Sequence, residues 1–318
     1  MLCITHNITN PYFNIASEEY LLRNFDDDIF LIYINEPSIV IGKHQNAYAE
    51  INYWFANDNH IKIVRRLSGG GTVFHDQGNL NFCFIRNGKE GNLVDFKKFT
   101  SYIIDALHEL GVPAELSGRN DLLINGLKIS GNAEHVFKKR VLHHGTLLFS
   151  SKLDHLREAL KVNISQYQDK AVKSIRSKVT NIDTYLDKPM TMDEFKNSIF
   201  KLVAKANPNS VDYQFSDDEL MSIKELIKDK YDQWDWNYGY SPHFVAEKEF
   251  VIDNDNFYAK LEVDKGFIKT VDIRKNGNDL PNLASLLIDS PYNDLYLSYR
   301  LIGNEENVNP DDLVRKLF

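Results

Sequence analysis

Three consecutive glycines stand between two strand-like stretches, within Arg65 to Asn81, RRLSGGGTVFHDQGNLN. Ahead of them Ile61 to Val64 is a short apolar run. Behind them Leu80, Phe82 and Phe84 alternate toward one face, the period of a half-buried strand. Such a join admits few folds. A backbone without Cβ atoms can lie flat against a ligand or take positive φ, at an entropic cost that other residues avoid. Arg65 and Arg66 stand at one end and His75 and Asp76 at the other. Bare N–H groups beside two guanidiniums suit an anion, most naturally a phosphate. Taken alone, GGG is equally compatible with a plain β-turn and solvated arginines. Two known phosphate loops are excluded. GxxxxGK[ST] is missing, because Gly42-Lys43 and Gly88-Lys89 lack the upstream glycine and the following hydroxyl residue. GxGxxG fails at Phe74, where its third glycine belongs.

The chain has 318 residues, 43% of them hydrophobic and 26% charged, which is ample core for one large domain and a small one. The formal charge of −8 argues against broad nucleic-acid binding. Cys3 and Cys83 are the two cysteines; they form no CxxC and imply neither a disulfide framework nor a zinc knuckle. MLCITHNITNPYF lacks a basic n-region and a long apolar core, and no stretch approaches the ~18 apolar residues of a membrane helix. The expectation is a cytoplasmic protein.

Asn10-Pro11 reads as an N-cap with proline at the first helical position, opening a helix to about Asn24. Strands are expected at Ile29 to Ile34 and Ile39 to Ile41, and a short helix at Asn52 to Asn57. A further helix spans Val94 to Leu110 and stops at Gly111-Val112-Pro113. A meander follows. Asp121 to Ile124 and Leu127 to Ala133 flank Asn125-Gly126, a strong two-residue hairpin signal. Val141 to Ser150 is another strand, and Leu153 to Leu160 a helix. Thr191 to Glu194 and Ser216 to Glu219 are capping boxes. The aromatic run Trp234 to Tyr240 suits an interdomain packing plug better than a base-stacking platform. A boundary is placed after Phe244, giving domains 1–244 and 245–318. The second carries a hairpin turned at Asp264-Lys265-Gly266 and helices near Leu283 to Ile288, Tyr292 to Ile302 and Pro310 to Leu317.

Four polar sets fall in the first half: Arg65 to Asp76, Gly118 to Asp121, Lys128 to Ala133, and His143 to Thr146. A meander can bring these to one face. Lys128 is the sharpest candidate, two residues past the hairpin turn among small neighbours. An ammonium there can neutralise a carboxylate and a phosphate together; a solvated strand lysine is the plainer alternative. Asp121 is a candidate magnesium ligand, since that ion prefers oxygen donors beside substrate phosphates. Adjacent His143 and His144 face opposite ways on a strand, so a zinc pair is not expected. For the same reason His75-Asp76 is a poor start for a catalytic triad.

The chain closely resembles the lipoate–protein ligase A family. NPYFNIASEEYLL, EPSIVIGKHQNAY, RRLSGGGTVFHDQGNLNF, GRNDLLINGLKISGNA, HHGTLLFSSKL, IRSKVTNI and WDWNYGYSPHF carry the likeness in the family's order. The tail after about Phe244 matches the family's accessory domain by position and pattern. The resemblance implies an α+β fold: mixed, mainly antiparallel sheets flanked by helices, like the biotin/lipoate ligase catalytic domain, with a small α+β C-terminal domain. It implies a two-step ligase. ATP and lipoate form lipoyl-AMP with release of pyrophosphate, and a lysine ε-amine of a lipoyl-accepting domain then takes the acyl group. Lys128 is implied as the catalytic residue, stabilising the acyl carbonyl and α-phosphate. Arg66, Gly71, Thr72, Val73 and Phe74 match nucleotide-contacting positions. Arg65, Ser68, Gly69, Gly70, His75, Asn120 and His144 are weaker candidates for the pocket, and Asp121 for Mg2+. The acceptors implied are lipoyl domains of 2-oxo-acid dehydrogenase acyltransferase subunits or the glycine-cleavage H protein; the default state is a monomer.

The nearest alternative is an acyltransferase of the same fold, which needs a cysteine nucleophile. Cys83 on a core strand and Cys3 at the terminus read instead as small buried hydrophobes. A biotin ligase should carry a GRGRxG-type loop, which Gly118 to Asp121 is not. A non-catalytic lipoate- or adenylate-binding protein is the reading from another class; Lys128 and the glycine loop speak against it.

Overall fold

The computed structural model describes residues 1–88, 96–118 and 120–318. Arg119 and the first two residues of the expected helix from Val94 lie outside the described residues. The chain forms two compact units. The first comprises residues 1–43, 62–157 and 175–232; the second comprises 44–61, 158–174 and 233–318. The units are discontinuous in sequence, whereas the sequence reading draws one linear cut after Phe244. A linear cut cannot show that residues 44–61 and 158–174 group with the C-terminal part.

In the first unit the strands are β1 (Leu2–Thr5), β2 (Ile29–Ile34), β3 (Ser38–Ile41), β4 (Lys62–Arg65), β5 (Val73–His75), β6 (Asn79–Asn87), β7 (Glu115–Ser117), β8 (Asp121–Ile124), β9 (Leu127–Phe137) and β10 (Arg140–Leu148). A further strand, Val211–Tyr213, pairs parallel with β1 at the edge. The main sheet then runs β1-β2-β6-β10-β9-β8-β7. The β1–β2 pair is parallel and the pairs beyond it are antiparallel. A small sheet β4-β3-β5 carries the glycine segment between β4 and β5. The architecture is α+β with mixed, mainly antiparallel sheets, as expected.

Helices Phe96–Glu109 and Met192–Lys205 close one side of the main sheet. Phe99, Ile103, Phe195 and Ile199 are buried there with Phe82, Phe84, Ile129 and Leu147. The helix α1 (Pro11–Asn24) starts at Asn10, whose side chain accepts from the Tyr12 amide. It buries an unusual number of polar side chains, Asn14, Ser17, Glu18 and Glu19 among them. Buried polar groups need partners, so this helix serves more than packing. Both expected capping boxes form, Thr191 with Glu194 and Ser216 with Glu219.

The second unit contains a five-stranded antiparallel sheet, with Phe244–Ile252, Asp255–Asp264 and Phe267–Lys275 at its centre. Helices Pro281–Leu287, Asp294–Arg300 and Pro310–Leu317 accompany it. The turn at Lys265-Gly266 takes positive φ at both residues. A Cβ on Gly266 would meet the Trp234 ring at 2.8 Å, so glycine is required there. The run Trp234 to Tyr240 winds into a turn of π-helix, Asp235–Gly239, inside this unit.

Candidate active site

The site is organised by one irregularity in the β8–β9 hairpin. Asn125 and Gly126 turn it with φ of 51° and 77°, the two-residue geometry that Asn-Gly favours. Beyond the turn Leu123 pairs with Lys128, but Leu122 pairs with Ser130 and Asp121 with Gly131. Ile129 is the extra residue of a β-bulge. Directly paired residues share a face of the sheet, so Lys128, opposite Leu123, lies on the face of Asp121, and the bulge brings Gly131 onto that face as well. A regular ladder from the same turn would pair Leu122 with Ile129 and Asp121 with Ser130, putting Ser130 instead of Gly131 on the face of Lys128. Ile129 drops into the core with Leu122 and Ile124.

The Lys128 Nζ lies 2.9 Å from Oδ1 of Asp121, with side chains 25% and 29% exposed. It also lies across Gly131, where an added Cβ would sit 3.2 Å from both Cε and Nζ. The backbone of Lys128 is held from a second direction. Its amide donates to the Lys178 carbonyl at 2.9 Å, and its carbonyl accepts from the Thr180 amide at 3.0 Å. The SKVTN stretch therefore clamps the candidate lysine, a role that its composition does not signal.

On the same face β9 continues to Ala133, which pairs with His144. A Cβ added at Gly70 would lie 3.9 Å from the Ala133 Cβ and 3.1 Å from Arg66 Nη2. Gly70 has φ of 89°, a conformation that L side chains rarely adopt. The glycine bend thus covers the strand that carries Lys128.

Arg66 shapes this bend. Its Nη2 donates to the carbonyls of Gly69 and Gly71, each at 2.7 Å; Nη1 donates to Val40 O at 3.1 Å and Nε to Ser68 Oγ at 2.9 Å. Burial lowers its pKa to about 10, opposed by Glu18 and Tyr33, so it stays cationic at neutral pH. Sequence reasoning puts Arg66 against the nucleotide; here four of its five N–H donors hold the chain. Arg65 is fully buried at the end of β4, and its Nη1 donates to the carbonyls of Gly42 and Lys43. Val73 and Phe74 pair with Val40 and Ile39, next to the bend. Thr72 is buried between Gly71 and Val73.

His144 and His143 point to opposite faces, as expected of neighbours on a strand. His144 Nε2 lies 2.6 Å from Ser68 Oγ, and Nδ1 lies 2.7 Å from Glu18 Oε2. His143 lies in the core, stacked on Phe99 and Phe82, with Nδ1 2.9 Å from Glu134 Oε1.

His75 and Asp76 also part company. Both oxygens of Asp76 accept backbone N–H groups, from Gly78 at 2.9 Å and Lys152 at 2.7 Å. His75 is buried, and Asn35 Nδ2 lies 2.9 Å from its Nδ1. Asn14 Nδ2 donates to Asn35 Oδ1 at 2.8 Å, which turns the Asn35 amide group toward His75. The ring proton is thereby assigned to Nε2. That atom has no protein partner. Burial first, then the Arg66 charge, presses the pKa down to about 3. His75 is a neutral ring with a buried N–H donor to offer.

Asn120 braces the meander instead of opening into it: its amide donates to the Asn132 carbonyl at 2.8 Å, and its carbonyl accepts from the Asn132 amide at 3.0 Å. Among the described residues no group of three or more His, Cys, Asp or Glu gathers to hold a metal. Asp121 is one carboxylate, which suits only an ion held largely by substrate oxygens and water. Cys83 is fully buried, and desolvation followed by the Glu18 charge pushes its thiol pKa well up. Cys3 is shifted in the same direction by burial. Neither supplies the thiolate that a cysteine-dependent transferase needs.

Sequence reasoning missed Glu18, Tyr33, Asn14 and Asn35. A faint signal existed: Asn14 and Glu18 sit one helical turn apart in α1, near Phe13, Ile15 and Leu22, where a purely structural helix would place apolar residues.

The lipoyl protein ligase A/B catalytic domain family matches residues 10–204. The chain is 43% identical to lipoate-protein ligase LplJ of Bacillus subtilis over 293 residues, covering 90% of this chain and 88% of that protein. A solved bipartite lipoate protein ligase of Thermoplasma acidophilum, described with its E2 lipoyl domain, superposes with a TM-score of 0.65 at 26% identity, covering 75% of this chain and 96% of that one. A lipoate-protein ligase A solved with bound ATP superposes with a TM-score of 0.63 at 26% identity, over 75% of this chain and 98% of that one. With these likenesses beside the geometry above, the chain belongs to the lipoate–protein ligase family and is an enzyme of the ligase class.

Proposed function

We propose that the protein uses ATP to attach lipoate to a lysine of lipoyl-accepting domains through lipoyl-AMP. The observation that carries this reading is the bulge that places Lys128 on the face covered by the glycine bend. In the first step a carboxylate oxygen of lipoate bonds to the α-phosphorus and pyrophosphate leaves. Two anions must approach, so the site has to supply positive charge and oriented donors where charge accumulates. Lys128 supplies the ammonium, shared between the acyl oxygen and the α-phosphate. Asp121 holds that ammonium before substrate arrives. His75 Nε2–H offers a donor to a substrate oxygen. The glycine segment Gly69 to Gly71 and the stretch Thr72 to Phe74 seat the nucleotide, with Arg66 fixing their carbonyls. In the second step the acceptor amine bonds to the acyl carbon, the bond to AMP breaks and the amine loses a proton.

Magnesium fits as a partner of the ATP phosphates, with Asp121 as its one protein carboxylate. Catalysis is assigned to residues 1–244 and an accessory role to 245–318. Acceptors are lipoyl domains of 2-oxo-acid dehydrogenase acyltransferase subunits or the glycine-cleavage H protein. The bipartite Thermoplasma relative, described with its E2 lipoyl domain, supports the first of these. We further propose that the enzyme acts as a cytoplasmic monomer without nucleic-acid partners. No helix among the described residues is long and apolar enough to cross a membrane.

The test is mass spectrometry of a purified acceptor domain incubated with enzyme, ATP, magnesium and lipoate. One lipoyl increment on the acceptor lysine, with pyrophosphate released, is expected. An unmodified acceptor with lipoate and ATP tightly bound would instead identify a sensor.

A further inference from the structure

The segment NPYFNIASEEYLL contributes a residue that the proposed chemistry leaves unused. Glu18 projects from α1 and is 2% exposed. Its Oε1 lies 2.9 Å from the Tyr33 hydroxyl and its Oε2 2.7 Å from His144 Nδ1. The other ring nitrogen of His144 is 2.6 Å from Ser68 Oγ. Ser68 Oγ in turn is 2.9 Å from Arg66 Nε, and Arg66 Nη2 holds the Gly69 and Gly71 carbonyls. An unbroken path of hydrogen bonds therefore runs from α1 to the glycine bend.

With a single proton on the His144 ring, the donors and acceptors take one order. An ionised carboxylate only accepts, so Tyr33 and His144 Nδ1 both donate to Glu18. With its proton on Nδ1, a neutral His144 accepts at Nε2 from the Ser68 hydroxyl. The Ser68 oxygen can then accept from Arg66 Nε–H. Every member is satisfied, which makes the arrangement rigid, because any partly satisfied alternative leaves a buried polar atom unpaired.

We propose that Glu18 is a positioning residue. It holds His144 in the Nδ1–H form, and through Ser68 and Arg66 it sets the position of the glycine bend. The proposal rests on the functional reading above for its substrate, but not for its geometry. His144 is the member that reaches the surface of the site, with its side chain 11% exposed. A change at Glu18 therefore reaches the surface of the site at His144 and, through Ser68 and Arg66, the glycine bend.

The experiment is ¹⁵N NMR of the histidine rings in the ligand-free full-length protein, paired with adenylation kinetics of Glu18→Gln. In the wild type, His144 should show a neutral ring protonated at Nδ1. In Glu18→Gln the amide can donate, and the ring should change to Nε2–H. KM for lipoate and KM for ATP should both rise, by up to about tenfold, since one buried charged hydrogen bond is lost and the bend that seats the nucleotide shifts with it. An Nε2–H ring in the wild type overturns the proposal without any variant, so poor folding of Glu18→Gln does not protect it. An unchanged ring in the variant, or a changed ring with both KM values unaltered, overturns it too. The NMR arm needs no substrate. If the protein failed to ligate lipoate at all, the functional reading would fall while the ring assignment would still be decided.

Discussion

Lys128 Nζ lies 2.9 Å from Asp121 Oδ1 across a hairpin in which Ile129, bulged out of the ladder, brings Gly131 onto the face that the two residues share. The pair gives the ammonium a fixed position in the absence of substrate. Both groups are partly open to water, so the bond adds little to stability. Its value is geometric: the ammonium is held on the face of β9 that the glycine bend covers further along, at Ala133.

Replacing that charge tests its role directly. Lys128→Ala should reduce lipoate-dependent pyrophosphate release by at least about a hundredfold, the scale of losing one preorganised charge at a transition state. The fold should persist, because the side chain is only partly buried. Pyrophosphate release near the wild-type rate would remove Lys128 from the chemistry.

Gly131 offers a separate test of position, as distinct from charge. An added Cβ would lie 3.2 Å from Lys128 Cε and Nζ. Gly131→Val should displace the ammonium and lower adenylation by about tenfold or more, since misplacing a catalytic group is costly even when it is present. Thermal unfolding should shift far less than activity. Unaltered kinetics would show that Lys128 need not lie where the structure puts it.

The bend itself carries a structural demand. Gly70 has φ of 89°, and a Cβ there would press on Arg66 Nη2 at 3.1 Å. Gly70→Ala should cost about 1–3 kcal/mol in urea unfolding and raise KM for ATP. Gly69→Ala is the control, since a Cβ at Gly69 meets nothing within 4 Å. Equal effects at the two positions would argue against a strained, Arg66-tied bend.

Acid should weaken the fold in a way traceable to His75. Its folded-state pKa of about 3 lies below the ordinary 6.5, so the unfolded chain binds this proton more readily. The corresponding stability is complete above pH 6.5 and drains away as pH falls toward 3. Between pH 7 and pH 5 the loss from His75 is about 2 kcal/mol. His6, half-buried and lowered to about 4, adds to it in the same direction. In His75→Gln the difference in unfolding free energy between these two pH values should shrink by that amount. An identical difference in wild type and variant would contradict a neutral, buried His75.

Much of the architecture is readable from local pattern alone. The Asn10-Pro11 start of α1, the Asn125-Gly126 hairpin, both capping boxes and the turn at Lys265-Gly266 all form as read. Each is set by residues within a few positions of one another, where backbone preference and capping act directly. The opposed directions of His143 and His144, and of His75 and Asp76, follow from the two-residue period of a strand and needed no more than that.

Tertiary structure decided the rest. A bulge is invisible in sequence because it depends on which partner each residue of β8 and β9 finds, and that pairing alone brings Gly131 and Ala133 onto the face of Lys128. Arg66 reads as a ligand-binding cation until its neighbours are known; the carbonyls that occupy it belong to a bend closing back on it. Glu18 reads as an ordinary helix residue until His144, 126 positions later, is brought to 2.7 Å of it. Short-range chemistry wrote the elements of this protein. Long-range pairing, which no local propensity encodes, assembled them into a site.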